Sequence, residues 1–201
     1  PTALVLNICI ATFTSWRLIK KGFFDLKVLV PVAIGAIPFA FLGGYINAPS
    51  HIYKTIVGTI LIVSAFGLVA NKSQKIDLNI TRPKPSLAII SGAAIGFLAG
   101  LTGTGGGIFL SPLILFLGWT NTKKTSGVAA VFILLNSLFG LAGNYASVQN
   151  LPEQLPMYVF ATMIGAVIGT TLGIRFYSAI AIRRALAVVL VIAGLKLLLT
   201  A

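Results

Sequence analysis

Residues 87–119 read LAIISGAAIGFLAGLTGTGGGIFLSPLILFLGW, two apolar runs separated by glycine and threonine. The runs, Leu87–Leu101 and Ile108–Trp119, contain no charged residue. Each is shorter than the roughly 20 residues that cross the hydrocarbon core of a bilayer. The glycine-rich run at 102–107 disfavours a regular helix, because glycine costs about 1 kcal/mol per position relative to alanine. The stretch therefore predicts two short membrane helices joined by a break. They form either one interrupted span or a pair that enters and leaves on the same side.

The rest of the chain has the composition of a membrane protein. Of its 201 residues, 57% are hydrophobic and only 9% are charged, against roughly 25% charged in soluble domains. Because this number of polar residues is too small to cover the surface of a soluble domain, we predict a surface that faces the lipid bilayer. We therefore predict an all-α integral membrane protein, a polytopic helical bundle. Its other apolar segments are Ala3–Leu18, Val28–Ile46, Ile52–Ala70, Gly127–Gly143, Met157–Ile174 and Ala185–Leu199.

The positions of the basic residues predict the topology. The net charge is +12, but the Lys and Arg residues lie at the ends of apolar runs, which is typical of membranes and not of nucleic-acid binding. If the two short segments return to one side, all but Lys54 and Lys196 of the 15 Lys and Arg residues share that side. If the two short segments instead cross the membrane once, roughly nine of the Lys and Arg residues lie on one side and six on the other. Cytoplasmic loops carry the Lys and Arg excess. We therefore predict glycine-broken re-entrant helices in the cell (plasma or inner) membrane, with basic loops in the cytoplasm and the carboxyl terminus outside.

The chain resembles itself at an offset of about 130 residues. The matches relate the first three apolar segments to the last three, which run in the opposite direction in this topology. We therefore predict inverted repeats, a common plan of transporters. The first repeat is 1–72, a cytoplasmic linker is 73–86, and the second repeat is 87–201. The matching positions are Asn7 with Asn136, Gly35-Ala36 with Gly165-Ala166, and Leu42-Gly43 with Leu172-Gly173.

The first repeat has no counterpart of the glycine-broken pair. Pro1 aligns with Ala130, and nothing in the first repeat matches residues 87–119. We expect the natural protein to have roughly 40 further residues before Pro1, with a second glycine-rich break. The alternative is a repeat that is naturally half complete.

The glycine run is the best candidate for a substrate-binding site. A non-helical backbone at membrane depth is tolerated where it is buried in protein or lines a cavity. Free amide groups at the following helix start attract anions, and neighbouring hydroxyls add neutral donors. By contrast, the four-residue spacing of Gly92, Gly96 and Gly100 favours close helix packing. The candidate residues here are Thr102, Gly103, Thr104, Gly105, Gly106, Gly107 and Ser111.

Three polar residues outside the run are further candidates. Asn136 lies within an apolar segment and Asn7 is its repeat mate. Both amides either bond neighbouring helices together or contact substrate at the repeat interface. Ser126 either caps the start of its helix or touches substrate.

These motifs together resemble a known family. The glycines from Gly92 to Gly107, followed by Ser111-Pro112, Lys124-Thr125-Ser126 and Asn136-Ser137, resemble the second half of the sulfite exporter TauE/SafE family. Members are membrane permeases associated with export of sulfite, sulfoacetate and related sulfur-containing anions. The resemblance implies a secondary transporter that moves such small anions, sulfite or organosulfonates, across the plasma membrane in the export direction.

Other classes of function have less support. An enzyme needs acids, bases or metal ligands grouped together, and the lone His51 and three acids in the loops do not form such a group. We predict no enzymatic activity, no cofactor and no metal. The alternative function is a channel-like or other small-solute membrane protein of unknown cargo, and a homo-oligomeric assembly is left open.

Overall fold

Eight α-helices account for most of the residues that the structure, a computed structural model, describes: 2–46, 50–70, 80–143 and 152–199. The side chains of 50–53 and 69–70 are not among the described features. Each of the eight predicted apolar segments is a helix, so the all-α prediction is confirmed. Half of the predicted linker, residues 73–79, lies outside the described residues. The helices are α1 (Thr2–Lys20), α2 (Leu26–Tyr45), α3 (Ser50–Ala70), α4 (Pro85–Thr102), α5 (Gly107–Leu117), α6 (Thr122–Gly143), α7 (Leu155–Arg175) and α8 (Ala179–Leu199).

Five of the described helices are long and apolar enough to cross a membrane: α1, α2, α4, α6 and α7. Helix α5 has only 11 residues. Helix α8 has 21 residues but carries three basic side chains, Arg183, Arg184 and Lys196. Many large apolar side chains on these helices are exposed, among them Phe66, Phe116 and Phe160. Such a surface suits lipid, and the prediction of a polytopic membrane protein is confirmed.

Helices α2 and α4 pack backbone against backbone. A β-carbon added at Gly92, Gly96 or Gly100 would overlap the α2 backbone near Val32, Ala36 or Ala40. Small residues allow this approach, which creates the van der Waals contact that holds helices together in lipid. The interpretation of these three glycines as packing residues is confirmed.

The α4–α5 segment is a helical hairpin. The Thr81 amide N, four residues before α4, donates to the carbonyl oxygen of Gly118, directly after α5, at 2.9 Å. The two ends of the segment therefore lie side by side. This is the geometry that a returning pair requires, and the hairpin's depth in a bilayer stays a prediction.

Neighbouring helices also have the directions that an inverted repeat requires. Leu4, at the start of α1, lies by Gly140 near the end of α6, whereas Phe23, just after α1, contacts Gly127 near the start of α6. Helices α1 and α6 are therefore antiparallel. Gly58, early in α3, lies against α8 near its end, so α3 and α8 are antiparallel too. The inverted repeat itself stays a prediction.

Candidate functional site

The glycine break contains three glycines in the left-handed region of backbone space. The φ angles are +68° at Gly103, +72° at Gly105 and +77° at Gly106. Glycine adopts these angles without steric cost, whereas a side chain disfavours them. Gly103 ends α4 and Gly106 precedes α5. The helix therefore stops and restarts within a few residues, as the sequence predicts.

Hydroxyl and amide groups surround this break. The Thr102 hydroxyl donates to the Leu98 carbonyl at 2.7 Å and lies 2.9 Å from the Thr104 hydroxyl. The amides of Phe109 and Leu110 both bond to the Gly106 carbonyl. The preceding amides at the start of α5 have no acceptor within the helix, and they carry the partial positive charge of a helix start. The break thus presents neutral donors.

Gly105 brings α1 and α6 to the break. A β-carbon added at Gly105 would lie 2.8 Å from Ser137 Oγ, 3.0 Å from Ile133 Cγ2 and 3.1 Å from Asn7 Nδ2. The predicted candidates Asn7 and Gly105 are therefore neighbours. Ser137 was missed by the sequence analysis, although it stands beside Asn136 in the Asn-Ser pair that carries the family resemblance.

The other side of the break is apolar. A β-carbon at Gly106 would lie 3.0 Å from both Ala99 Cβ and Phe132 Cε1. One at Gly107 would overlap the side chain of Ile133. Because Gly105, Gly106 and Gly107 are all buried, the polar groups at the break are held in a region of low dielectric. Electrostatic contacts with a ligand are stronger there than in water.

Asn136 is the most unusual polar group near the site. Its side chain is 1% exposed, yet neither its amide nitrogen nor its oxygen has a hydrogen-bond partner among the described residues. The buried Ser137 hydroxyl also lacks one in the same part of the chain. Buried polar groups are bonded in the great majority of cases, and an unbonded one costs about 1–3 kcal/mol. A polar ligand or an ordered water would relieve this cost.

The orientation of Asn136 follows from its helix. Side chains four residues apart lie on one face of a helix. One turn before Asn136, Phe132 lies by Gly106, and one turn after it, Gly140 packs against Gly44 and Gly100. The amide therefore lies between the break and the contact of α2 with α4.

The structure separates two predicted candidates from this cluster. Ser126 lies ten residues before Asn136, about 15 Å along α6 at 1.5 Å per residue. The alternative that Ser126 caps the helix is wrong, because α6 begins at Thr122 and the side chain of Asn121 accepts from the Lys124 amide. The Ser126 hydroxyl donates to the Thr122 carbonyl of its own helix at 3.2 Å. Ser111 is partly buried on α5, one turn beyond Gly107. Both stay predictions as substrate contacts, and neither lies beside Asn7 and Gly105 in the way that Ser137 does.

Ser126 lines a cavity of about 290 Å³ at the basic end of the bundle. The walls include Thr14, Lys123, Thr170 and Tyr177 from α1, α6 and α7 or its C-terminal end. A cavity with a lysine in its wall is suited to attract anions.

Arg17 joins α1 to α7 near this cavity. Its guanidinium donates to Thr170 Oγ1 at 2.6 Å, Thr171 Oγ1 at 3.0 Å and the Val167 carbonyl at 3.1 Å. Both threonines also donate to carbonyl oxygens of their own helix. The bond to Arg17 spans about 150 residues, and no local pattern indicates it.

A larger cavity of about 420 Å³ lies between α3, α4 and α5. Its walls are apolar side chains such as Ile60, Phe109 and Phe116, with Ser64 and Arg183 as the polar exceptions. Such walls offer a small anion few donors, so this cavity is a poorer candidate for substrate than the break.

Comparisons with known proteins show the family. The family model described as sulfite exporter TauE/SafE matches residues 1–197. The probable membrane transporter protein y4hK of Sinorhizobium fredii is 41% identical over 201 residues, which cover 98% of this chain and 81% of that protein. The probable membrane transporter protein MJ0441 of Methanocaldococcus jannaschii is 29% identical over 119 residues, 57% of this chain and 43% of that protein. No solved structure matches.

Proposed function

The chain belongs to the sulfite exporter TauE/SafE family of membrane transporters, and from this premise we propose that it is a secondary transporter of small sulfur-containing anions. Sulfite and organosulfonates are the proposed cargo, and export is the proposed direction. The substrate binds at the glycine break, between Gly105, Asn7 and the Asn136-Ser137 pair.

The observation that carries this proposal is the set of unused donors on α6. The Asn136 amide and the Ser137 hydroxyl are buried and lack partners in the described residues, and Ser137 faces Gly105. An oxyanion accepts hydrogen bonds from amide and hydroxyl donors alike. The amides at the start of α5 add a favourable dipole.

The absence of a full positive charge among the break residues suits a transporter. A cycle of transport needs a substrate that is bound and then released, so binding must be reversible. A positively charged side chain would add direct Coulomb attraction to the anion, about 4 kcal/mol at 4 Å for an effective dielectric constant of about 20. Neutral donors such as Asn7 and Asn136 therefore favour weak, reversible binding over tight capture.

The proposed export direction rests on the family's description as a sulfite exporter, and the basic end of the bundle offers anions an entrance on the proposed cytoplasmic side. Lys123 lines the cavity at that end, and Arg17 lies beside it. Cytoplasmic ends of membrane proteins carry the excess of Lys and Arg. We therefore place this cavity on the cytoplasmic side, where its positive potential raises the local concentration of anions before export.

The test replaces Asn136 with leucine, which has the same branched shape and number of heavy atoms but no polar group. If the amide serves substrate, its unused polar groups destabilise the empty protein by about 1–3 kcal/mol. Asn136→Leu should then raise the melting temperature in detergent. The same variant should abolish saturable flux of labelled sulfite in proteoliposomes.

Ser15→Ala is the matched control, because Ser15 is another buried hydroxyl without a partner in the described residues. It lies eight residues from Asn7, about 12 Å along α1. It should stabilise the protein without loss of flux. A fall in melting temperature for Asn136→Leu would show that the amide bonds helices together, and would contradict the proposed role.

The second candidate is a channel. The side chains of Asn7 and Ser137 at Gly105 could line a pore as well as a carrier site. The dependence of flux on substrate concentration distinguishes a channel from a carrier. Flux that saturates with sulfite concentration supports a carrier, whereas flux that rises linearly supports a channel. We propose no enzymatic activity, because the family and the relatives are described as membrane transporters.

A further inference from the structure

The apolar cavity of about 420 Å³ between α3, α4 and α5 lies at the outer surface of the bundle. Three large side chains in its wall, Ile60, Val63 and Phe116, are exposed, so the cavity is open to the surroundings of the helices. In a membrane protein those surroundings are lipid. Pockets for small molecules have volumes of about 300–1,000 Å³, and this cavity is therefore large enough to hold part of a bound molecule.

The cavity follows the helix axes over most of the depth of one leaflet. On α3 its wall extends from Ile60 to Leu68, about 12 Å at 1.5 Å per residue. On α5 it extends from Phe109 to Phe116, about 10 Å. Half of the hydrocarbon core of a bilayer is about 15 Å thick. The cavity thus has the length of the greater part of one acyl chain.

Arg183 lies at the end of the cavity where α3 and α5 finish. Gly67 and Phe116, both near the ends of these helices, are neighbours, because a β-carbon at Gly67 would lie 3.9 Å from the Phe116 ring. The Arg183 Nε donates to Thr122 Oγ1 at 2.9 Å, and Thr122 begins α6 shortly after Leu117 ends α5. The guanidinium is therefore level with the last turn of α5, at the basic end of the bundle.

Further basic side chains lie at the same end. The Thr81 amide donates to the carbonyl of Gly118, directly after α5, so the exposed Arg82 and Lys84 lie near the end of that helix. The described lining of the cavity includes no acidic side chain. Positive charge at one end of an apolar groove complements a lipid with a negatively charged headgroup, and basic pockets between membrane helices bind such headgroups.

We propose that this cavity binds one acidic phospholipid from the leaflet at the basic end of the bundle. An acyl chain lies between α3 and the α4–α5 hairpin, and the phosphate accepts hydrogen bonds from the Arg183 guanidinium, whose planar donors suit phosphate oxygens. Lipid tails are as apolar as leucine, so the apolar walls do not distinguish one phospholipid from another. The headgroup charge provides the selectivity. This inference does not depend on the proposed cargo of the transporter.

The experiment counts lipids bound to the purified protein by native mass spectrometry in detergent. Dioleoyl phosphatidylglycerol should bind at one site at least about fivefold more tightly than dioleoyl phosphatidylcholine, the contribution expected from one arginine near the headgroup. Glycerol 1-phosphate, which has the charged group but no acyl chain, should not displace the lipid. Equal binding of the two lipids would overturn the proposal. Displacement by glycerol 1-phosphate would assign the site to free anions, and would equally overturn it.

Two variants locate the bound lipid. Arg183→Gln should weaken phosphatidylglycerol binding about fivefold and leave phosphatidylcholine binding unchanged. The matched control is Arg184→Gln, which removes the same charge from an exposed residue outside the cavity wall and should change binding by less than about twofold, because exposed charges are screened. Gly67→Leu fills the cavity and should weaken binding of both lipids, with the melting temperature within about 3 °C of wild type.

Equal losses in the two arginine variants, or wild-type lipid binding in a folded Arg183→Gln or Gly67→Leu variant, would overturn the proposal. If Arg183→Gln does not fold, the comparison of phosphatidylglycerol, phosphatidylcholine and glycerol 1-phosphate on the wild-type protein, together with Gly67→Leu, decides it.

Discussion

Replacing Gly105 with alanine tests how closely the backbone of the break must approach Asn7 and Ser137. Two effects add at this position. Alanine at a φ of +72° is disfavoured by about 1–2 kcal/mol, the usual cost of a β-carbon in the left-handed region. The new β-carbon would also lie 2.8 Å from Ser137 Oγ and 3.1 Å from Asn7 Nδ2, closer than ordinary van der Waals contact.

The matched control is Gly103→Ala in the same break. Its φ of +68° gives the same backbone cost, but its β-carbon would lie 3.8 Å from Leu4 Cγ, an ordinary contact. The difference between the two variants is therefore the crowding at Gly105. Overpacking of a tight site costs about 1–3 kcal/mol, which corresponds to roughly a 5- to 150-fold change in an equilibrium constant.

The assay is the concentration dependence of labelled sulfite flux in proteoliposomes, with melting temperatures measured in parallel. We expect both variants to fold with lowered melting temperatures. We expect the half-saturating concentration to rise, or the maximal flux to fall, by roughly 5- to 150-fold more in Gly105→Ala than in Gly103→Ala. Equal flux in two folded variants would refute the placement of substrate between Gly105, Asn7 and Ser137.

Three further tests, two of them with a control variant, probe the packing and the limits of the site. Gly92→Leu should prevent α2 and α4 from approaching and should abolish stable folding in detergent. Gly67→Leu should leave the melting temperature within about 3 °C of wild type, since the nearest described atom to its β-carbon belongs to the ring of Phe116, at 3.9 Å. Equal effects of Gly92→Leu and Gly67→Leu on folding would contradict the packing role of Gly92. Arg17→Gln removes bonds to α7, so hydrogen exchange of α7 should accelerate, while Lys20→Gln should leave it unchanged. Ser126→Ala should keep sulfite flux within about twofold of wild type, because Ser126 lies about 15 Å from the amide on the same helix, and a larger loss would add this serine to the substrate site.

The helices and the break were predictable because the membrane restricts the choices of the chain. A backbone in hydrocarbon must satisfy its own hydrogen bonds, so long apolar segments become helices. Each predicted segment is a helix. The ends agree within two residues, as in Val28–Ile46 against Leu26–Tyr45, except that α6 and α8 begin five and six residues earlier than predicted. The glycine run at 102–107 interrupts the helix because glycine favours the left-handed angles found there.

The family could also be predicted from the sequence, because it depends on the order and spacing of residues. The glycines up to Gly107 and the Asn136-Ser137 pair are local motifs, and the match over residues 1–197 confirms the resemblance. The contact of Gly92 with α2 was likewise indicated by spacing, since residues four apart share a helix face.

The tertiary structure alone decided which side chains meet. Asn7 and Ser137 lie 130 residues apart in the chain, and both reach Gly105, whereas the equally polar Ser126 lies elsewhere. Helical periodicity shows which residues share a face, but the rotation of that face depends on packing against every neighbouring helix. For the same reason, only the fold showed that Arg17 on α1 donates to the hydroxyl of Thr170, which lies 153 residues away in the chain.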